Sequence, residues 1–499
     1  MNSKISIAIH GYGTYAALYR NLIEHAKIAA PDVDWAMILP TSHHLDAVRE
    51  VLPPDRLLCL EYMQSRTLPE DTHPSEFTEY AGNVYADIET EKKVYKHRPA
   101  SEQVARAAEA YKIYRAFLKR IKPTHLLFAH VETFEGKMLF SIAKELNISA
   151  ILPVDLRSFG GTAFCSGPDE TLPSYRTANK AFVSQSARFL DDFRKNPKPS
   201  WNPGMFALPV GDEPLPLYEK PFLQRALSFA KRTLKNPDLF EPVLLATSVK
   251  YAFPKAVEAF RSIRASRNRR QFDLETLEEL PAKFVYYPLQ TTPESSINTP
   301  APYFIDQMRA IDAIRFAMPS DCTLIVKEHW ASLNIRPGSF YKALRRKAGV
   351  KVVHSNLSSV ELIKRAQLTI SVTGSATLEA YLLGRPSLVL GGCFIASYLG
   401  GVCSIDSLAS RVQHAIENPP RDEDVLKALT EIYDARYECL IRPADEPGYY
   451  SNRPENIRRM LNSILDHIER SRRFSETRQG LTGGGVEAAE SGSFALGRH

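Results

Sequence analysis

The chain has 499 residues, of which 44% are hydrophobic and 24% are charged, and its formal net charge is +6. This composition is typical of a globular protein with two or three domains. The positive excess is small for this length, and the sequence has no dense stripe of Lys and Arg with interleaved aromatic residues, so we expect no nucleic-acid partner.

The N-terminal residues 1–195 alternate between apolar runs and amphipathic segments, which predicts a doubly wound α/β domain with a parallel sheet. The first apolar run ends in a glycine loop that leads into a helix, and residues 101–121 have a clear helical periodicity. Residues 41–100 are polar and irregular. The predicted strands are Lys4–Ile9, Trp35–Pro40, Thr124–Ala129 and Ile151–Val154.

The glycine loop Gly11–Ala16 fits the G-x-G-x-x-A fingerprint of dinucleotide-binding domains. That fingerprint needs an acidic residue at the end of the second strand, where this chain has Pro40–Ser42. A tight turn between a strand and a helix therefore explains the glycines better than an NAD(P) site, which stays as an alternative. Asp32–Asp34 has the form of a metal-binding D-x-D motif, but it precedes a strand, so we interpret it as a turn.

A proline-rich stretch separates the two halves of the chain, and we predict that residues 196–280 form a crossover with a helical linker. This linker contains Phe222–Lys235, which has the pattern of a basic amphipathic helix. An ordinary packed helix with a solvated basic face explains the pattern, and peripheral contact with a membrane surface is the alternative.

Residues 281–440 repeat the alternation of strands and helices and predict a second Rossmann-like domain. Residues 441–474 are predicted to form a helix that returns to the cleft or to the N-terminal domain. The Gly/Ser-rich residues 475–499 are predicted to be disordered. The predicted strands are Phe284–Tyr287, Thr323–Val326, Val350–Val353, Leu368–Val372 and Leu388–Leu390.

Two strand ends in this second domain carry the residue types of a phosphate site. One strand leads into Lys327 and His329, and another leads through Thr373–Ser375 directly into a helix. A helix that opens in such a loop presents free backbone N–H groups and a positive dipole end. Lysine supplies a point charge, and histidine can donate a hydrogen bond to a phosphate or a proton to a leaving group.

Two doubly wound domains joined by a crossover would place the carboxyl ends of two parallel sheets on either side of a central cleft. This is the architecture of the GT-B glycosyltransferases, so the predicted fold class is α/β and GT-B-like, with two Rossmann-like domains. Because many functions share one fold, the residues at the cleft must indicate the chemistry.

Three motifs follow one another in residues 283–392: YYPLQTTPESSINTPAPYFIDQM, LIVKEHW and VTGSATLEAYLLGRPSLVLGG. Together they resemble the bacterial capsule polysaccharide biosynthesis family, which is related to the Kdo transferases that use CMP-Kdo. The pattern of that family is a PLQ…PE loop, a K-E-H-P loop and a T-G-(S/T)-x-x-x-E-A…G-(K/R)-P segment. This chain has Trp330 in place of the proline, and the indole can alter the loop or stack on a base or a sugar.

The resemblance implies a glycosyltransferase that moves a sugar, such as a Kdo-like ulosonic acid from a CMP donor, onto a glycan or glycolipid acceptor. A CMP leaving group carries one phosphate, so neither a metal nor another cofactor is required. Four of the proposed donor ligands also have a structural explanation: Lys327 as a surface lysine, His329 as a structural histidine, Ser375 as a helix cap and Glu379 as an early-helix acid. The expected ligands of the donor nucleotide and its phosphate are Gln290, Glu294, Lys327, His329, Thr373, Gly374, Ser375 and Glu379.

An inverting transfer needs a base for the acceptor hydroxyl, and a carboxylate or a histidine at a strand end of the N-terminal half can supply it. We favour Glu132 and Glu135, with His329 as the third catalytic residue, because the A-H-V-E-T-F-E-G loop follows a well-defined strand. Helix capping is the alternative explanation of both glutamates, and a retaining reaction would need a nucleophile or a front-face route. The other candidates are His10, His130 and Asp155.

The six cysteines are scattered singly, without CxxC pairs, which favours a reducing compartment. No apolar run approaches the roughly 18 residues of a transmembrane helix, and the N-terminal run is too short for a signal peptide. We therefore expect a cytoplasmic protein, with peripheral contact at the inner face of the membrane as an addition. Two other functions fit the motifs: a non-catalytic capsule polysaccharide assembly or export factor, and a UDP-sugar-dependent GT-B enzyme.

Overall fold

The computed structural model describes residues 4–63, 74–90, 99–131, 133–173, 180–197, 254–292, 294–329, 332–442 and 451–482. Four features singled out in the sequence lie outside the described residues. These are Glu132, Trp330, the Phe222–Lys235 segment and the tail beyond Thr482.

The N-terminal half forms a six-stranded sheet with strands β1 Ser6–His10, β2 Asp34–Leu39, β3 Leu57–Cys59, β4 His125–Phe128, β5 Ser149–Asp155 and β6 Thr162–Cys165. The order is β3-β2-β1-β4-β5-β6, and every neighbouring pair is parallel except β5 and β6. Helices cover both faces of the sheet, which explains why its inner strands are continuous apolar runs.

Seven helices accompany this sheet in the part of the chain that the structure describes. They are α1 Tyr15–Ala29, α2 Leu45–Arg49, α3 Leu60–Met63, α4 Val84–Thr90, α5 Ala100–Ile121, α6 Phe134–Glu145 and α7 Lys180–Lys195. Short 3₁₀ turns lie at Ser42–His44, Pro54–Arg56, Pro74–Phe77 and Arg157–Phe159.

The C-terminal half forms a five-stranded sheet with strands β7 Phe284–Pro288, β8 Thr323–Lys327, β9 Val350–Val353, β10 Leu368–Ser371 and β11 Ser387–Val389. The order is β11-β10-β7-β8-β9, and all pairs are parallel. Counted from the first strand of each half, both sheets share the 3-2-1-4-5 order of a Rossmann fold.

Nine further helices follow in the described part of the chain. They are α8 Pro254–Arg269, α9 Ser295–Asn298, α10 Gln307–Ala317, α11 Gly338–Arg345, α12 Ser359–Arg365, α13 Ser375–Leu382, α14 Leu408–Glu417, α15 Asp422–Ala435 and α16 Pro454–Thr482. Two 3₁₀ turns are at Pro302–Ile305 and Ala396–Leu399.

The structure differs from the sequence-based elements at several places. β3 and β6 lie in stretches where we predicted no strand, because edge strands this short carry too few residues for a recognisable pattern. Residues 302–317 have a continuous helical spacing of apolar residues in the sequence, but the helix begins only at Gln307, where the Asp306 carboxylate accepts from Met308 N at 3.1 Å. Helix α16 reaches Thr482 and so includes residues predicted to be disordered.

The predicted fold class, two Rossmann-like doubly wound α/β domains in a GT-B-like arrangement, is confirmed. Helix α16 packs on the N-terminal domain, since its apolar residues, among them Ile457 and Leu461, share one core with Leu18 and Leu22 of α1. Among the described helices, none is both long and apolar enough to cross a membrane.

The two domains touch at their carboxyl edges. Lys137, in the first turns of α6, donates from Nζ to the main-chain oxygen of Asn298 in α9 at 2.8 Å. Helix α6 follows β4 and helix α9 follows β7, so this bond joins the carboxyl edge of one sheet to that of the other. Arg194 of α7 adds a second contact, since its Nε donates to the main-chain oxygen of Leu382 in α13 at 2.9 Å. The same guanidinium forms a bidentate ion pair with Asp422 of α15 at 2.7 and 3.0 Å.

Candidate functional site

The carboxyl ends of β7 and β10 flank the position where the strand order of the C-terminal sheet reverses, and ligands of open α/β sheets bind at such positions. Gln290 follows β7 and Thr373 follows β10. Gln290 Nε2 donates to Thr373 Oγ1 at 2.9 Å, and Thr373 N donates to Gln290 Oε1 at 3.2 Å. The Gln290 amide thus ties the two loops together, a role that the sequence analysis did not assign to it.

The loop after β10 uses several of its polar groups internally. The Thr373 hydroxyl donates to the main-chain oxygen of Ser296 at 2.5 Å, and Gly374 N donates to Ser371 Oγ at 2.9 Å. An anion at this loop would therefore be met by the N–H groups at the start of α13, from Ser375 onward, because the first turn of a helix leaves such groups without intrahelical acceptors.

Lys327 ends β8 and brings a positive charge towards this loop. Its Nζ donates to Ser359 Oγ at 2.8 Å. Removal from water lowers the pKa of Lys327 to about 8, and the negative charge of Glu379 opposes that decrease. Glu379 itself is 2% exposed inside α13. The structure thus brings Glu379 close to the lysine as a buried counter-charge, whereas its sequence position had predicted a ligand of the donor nucleotide.

His329 is exposed, and its Nδ1 lies 3.2 Å from Thr291 Oγ1 in the loop after β7. Partial loss of water around the imidazole is the main cause that lowers the pKa of His329 below its ordinary value, and the charge of Glu328 opposes it. The charges of Lys327 and Arg336 lower it further. The ring is therefore neutral at neutral pH and can donate one hydrogen bond.

A buried ion pair below the His329 loop was missed by the sequence analysis. The Glu328 carboxylate accepts from Arg336 Nε at 2.5 Å, from Tyr341 OH at 2.6 Å and from His329 N at 2.7 Å. The signal was present, because a charged residue that directly follows a buried strand needs a partner. Which cation supplies that partner is decided by the fold.

Glu294, the remaining predicted donor ligand, is exposed at the start of the turn that leads into α9. Its main-chain oxygen accepts from Asn298 N at 2.9 Å and from Ile297 N at 3.1 Å. The backbone of this residue shapes the turn, and its side chain lies at the surface of the same carboxyl edge.

The carboxyl edge of the N-terminal sheet is aromatic. His130 follows β4. The centroid of its ring lies 5.0 Å from that of Tyr12 and 5.5 Å from that of Tyr15, and both contacts are edge-to-face. Below them, burial and then the charge of His130 lower the pKa of His10 to about 3, so the His10 ring is neutral. The two tyrosines were missed as site residues, although aromatic residues in a strand-end loop were visible in the sequence.

The acidic candidates of this edge have different surroundings. Glu135 is buried in the first turn of α6, where the capping Thr133 Oγ1 accepts from Gly136 N at 3.1 Å. Asp155, at the end of β5, pairs with Arg442 at 2.6 Å and so helps to anchor the segment before α16. Glu135 lies in the same helical turn as Lys137, whose side chain contacts the C-terminal domain.

The Gly11 loop has a packing explanation. A Cβ on Gly11 would lie 2.9 Å from Leu39 Cδ2 and from Met37 Sδ, both on the neighbouring strand β2. This contact supports the interpretation of the loop as a tight turn. Asp34 pairs with Arg56 at 2.8 Å, as expected for a structural residue rather than a metal ligand. Within the described residues, no group of three His, Cys, Asp or Glu side chains is placed to hold a metal ion.

No protein-family model and no curated protein matches this chain. Solved structures with a related fold include KpsC of Thermosulfurimonas dismutans. Its β-Kdo 2,7 transferase is 13% identical with a TM-score of 0.32, and the match covers 64% of this chain and 80% of that one. Its β-Kdo 2,4 transferase is 13% identical with a TM-score of 0.29, over 62% and 87% of the two chains.

A third solved structure is the UDP-GlcNAc 2-epimerase of Methanocaldococcus jannaschii in complex with UDP-GlcNAc and UDP. It is 12% identical with a TM-score of 0.25, and the match covers 86% of this chain and 99% of that one. At these identities and TM-scores the similarities carry no argument about function, which must come from the residues.

Proposed function

We propose that this protein is a glycosyltransferase of capsule or surface polysaccharide biosynthesis that uses a nucleotide-sugar donor. The preferred donor in this proposal is a CMP-linked, Kdo-like ulosonic acid. The observation that supports it most is the meeting of three motif-bearing loops at one carboxyl edge. These are the loop of Gln290, the loop of Lys327 and His329, and the start of α13.

The donor phosphate would lie between Lys327 and the first turn of α13. When the bond between the sugar carbon and the phosphate oxygen breaks, negative charge grows on the phosphate of the leaving CMP. The Lys327 ammonium and the N–H groups from Ser375 onward would stabilise that charge. The neutral His329 ring would donate a hydrogen bond to a phosphate oxygen, which favours departure of the nucleotide.

The acceptor would bind at the N-terminal domain, residues 1–195, opposite the donor domain, residues 281–440. The faces of Tyr12 and Tyr15 suit the apolar face of a sugar ring. Glu132 and Glu135 are the proposed bases for the acceptor hydroxyl. We place the reaction in the cytoplasm, with the Phe222–Lys235 segment as the part that would contact the membrane if the acceptor is a glycolipid.

A thermal-shift panel with CMP, UMP, UDP and NAD tests the donor site. We expect CMP to raise the Tm of the wild-type protein and to raise the Tm of Lys327→Ala much less. Lys351→Ala, which changes an exposed lysine on the neighbouring strand β9, is the matched control and should respond like the wild type. A response to UDP alone would still support a glycosyltransferase, but one that uses a UDP-linked donor.

A transfer assay separates catalysis from binding. CMP-Kdo is incubated with capsule glycan acceptors, and acceptor-dependent release of CMP is measured. Glycan binding without a response to any nucleotide would contradict the proposal and favour the assembly or export factor. A rise in Tm with NAD alone would favour the Gly11 loop as the cofactor site.

A further inference from the structure

We propose that Arg336 is a positioning residue of the donor site, which holds the loops after β7 and β8 in the arrangement that binds the donor phosphate. This inference rests on the proposed function, since it assigns a role to a residue that itself does not touch the donor. Arg336 is not among the predicted donor ligands, and it is 8% exposed.

The guanidinium of Arg336 joins two different loops. Its Nε donates to the Glu328 carboxylate at 2.5 Å, and its Nη2 donates to the main-chain oxygen of Gln290 at 2.8 Å. The ring of Phe340 lies 4.7 Å from the guanidinium carbon. A planar fork with fixed donor directions can satisfy two acceptors in different loops at once, which the single ammonium of a lysine cannot do with the same geometry.

The main chain that carries Arg336 is itself held in place. Asn268 of α8 is 2% exposed, and its Nδ2 donates to the main-chain oxygens of Leu333 at 2.7 Å and of Arg336 at 3.0 Å. Arg336 N also donates to the oxygen of Ser332 at 2.8 Å. The main chain at Arg336 is therefore fixed, and the guanidinium holds both loops in place relative to it.

The contacts form a continuous chain across the strand-order reversal. The N–H of His329 donates to Glu328, Glu328 binds Arg336, and Arg336 binds the oxygen of Gln290. The Gln290 side chain then binds Thr373, which precedes the helix that would meet the phosphate. Arg336 connects the loop of Glu328 and His329 to the main chain of Gln290, alongside the contact between His329 and Thr291.

A buried ion pair is a weak source of net stability, because the cost of removing both charges from water offsets their attraction. Glu328 is 1% exposed, so this cost applies to the pair. What the pair does provide is a fixed direction for each donor and acceptor. That reasoning favours a role in orienting the site over a role in holding the fold together.

The decisive variant removes both charges at once. Glu328→Gln/Arg336→Met leaves no unpaired buried charge, so the protein is expected to fold, with the new side-chain amide at position 328 still able to accept from His329 N and Tyr341 OH. We expect CMP affinity to fall at least about 10-fold, and the donor KM to rise while the acceptor KM stays unchanged. Arg336→Lys keeps the charge and is also expected to bind CMP more weakly, because the lysine cannot reach both loops.

Arg345→Gln is the matched control, since Arg345 is an exposed arginine nearby in α11 that pairs with Asp273 at 2.9 Å. It should bind CMP like the wild type. Amide hydrogen exchange on the nucleotide-free proteins provides a second readout. We expect peptides covering Gln290 and Thr373 to exchange at least about 10-fold faster in the double variant, and peptides of β8 and β10 to stay unchanged.

Unchanged exchange at both loops, or wild-type CMP affinity in the double variant, would overturn the positioning role. Wild-type affinity in Arg336→Lys would show that the charge alone is needed and would overturn it as well. A wild-type protein that binds no nucleotide would instead contradict the proposed function. The exchange measurement would still decide whether Arg336 orders the loops, so the two failures are distinguishable.

Discussion

The two sheets share one topology, but the side chains at their carboxyl edges differ in chemical type. In the C-terminal domain, the strand-order reversal is crossed by a chain of hydrogen bonds that contains a buried ion pair, Glu328 and Arg336. In the N-terminal domain, the corresponding edge carries the rings of Tyr12, Tyr15 and His130 above a buried, neutral His10.

This difference shows that the topology supplies a crevice and the side chains decide what it can bind. At the C-terminal edge, Lys327 contacts Ser359 at the start of α12 and lies near Glu379 of α13, and its positive charge suits an anion. At the N-terminal edge, burial holds His10 uncharged, so that ring contributes no positive charge at neutral pH. Aromatic faces suit a neutral, hydroxyl-bearing ring better than a phosphate. On this basis, the donor would bind at the C-terminal domain and the acceptor at the N-terminal domain.

The largest effect is expected for His329→Ala. If this ring donates a hydrogen bond to the leaving phosphate, the transfer rate should fall by about 100-fold or more, since removing one such donor to developing negative charge costs roughly 10²–10³-fold. The ring is exposed, so the fold should be retained. The measurement is acceptor-dependent CMP release, with His414→Ala, at an exposed site in α14, as the control. A rate within about twofold of the wild type would show that His329 does not assist the transfer, and the C-terminal edge would then have no demonstrated catalytic group.

Lys327→Ala should raise the Kd for CMP about 10- to 100-fold, or roughly 1.4–2.7 kcal/mol, because a charge-assisted bond to phosphate is lost. The pKa of Lys327 is lowered to about 8, so the free site loses its positive charge as the pH rises through that value. Wild-type affinity is therefore expected to decrease between about pH 7 and about pH 9.5, whereas Lys327→Arg should bind almost independently of pH, since arginine stays charged. Equal pH profiles in calorimetric titrations would contradict this.

Gly392→Ala tests the place where the two domains meet. A Cβ there would lie 2.7 Å from the main-chain Cα of Asp169 in the N-terminal domain, and main chain cannot yield as a flexible side chain can. We expect a loss of about 1–3 kcal/mol in the free energy of unfolding. Gly338→Ala is the control, because its nearest neighbour would be Asn268 Oδ1 at 3.4 Å. Denaturant unfolding of both variants measures the difference, and equal stabilities would show that the contact is not tight.

The smallest effect is expected at the aromatic edge. Tyr12→Leu should raise the acceptor KM about 2- to 10-fold, since aromatic contacts contribute roughly 0.5–1.5 kcal/mol. Tyr12→Phe keeps the ring and should change the acceptor KM little. CMP binding should be the same in both variants, because Tyr12 lies in the loop after β1 of the N-terminal domain. A change in CMP affinity without a change in acceptor KM would assign this edge to the donor instead.

The sequence predicted the inner strands well and the edge strands poorly. β1, β4, β7 and β8 are continuous apolar runs because both of their faces are covered, and such runs are visible without knowledge of any partner. β3 and β6 are edge strands of three and four residues whose extended form depends on pairing with a neighbour. Their own residues contain too little periodicity to reveal them.

The polar residues of the site divide in a similar way. That Lys327, His329 and the Thr373 loop follow strands was readable from the sequence, because parallel strands end on one edge. That the Gln290 amide binds Thr373, and that Glu379 lies beside Lys327, was not readable. Those contacts join residues far apart in the chain, and side-chain chemistry alone allows many partners.

The sequence by itself thus determined the two α/β domains and the residue types at their strand ends, because hydrophobic periodicity and glycine, serine and threonine at strand ends are local properties. Only the tertiary structure decided which polar groups brace the loops and which face the cleft. The physical reason is that a buried charge or amide must be satisfied by whatever the fold brings within about 3 Å. Glu328 and Arg336 meet only once β8 and the segment before α11 are packed together.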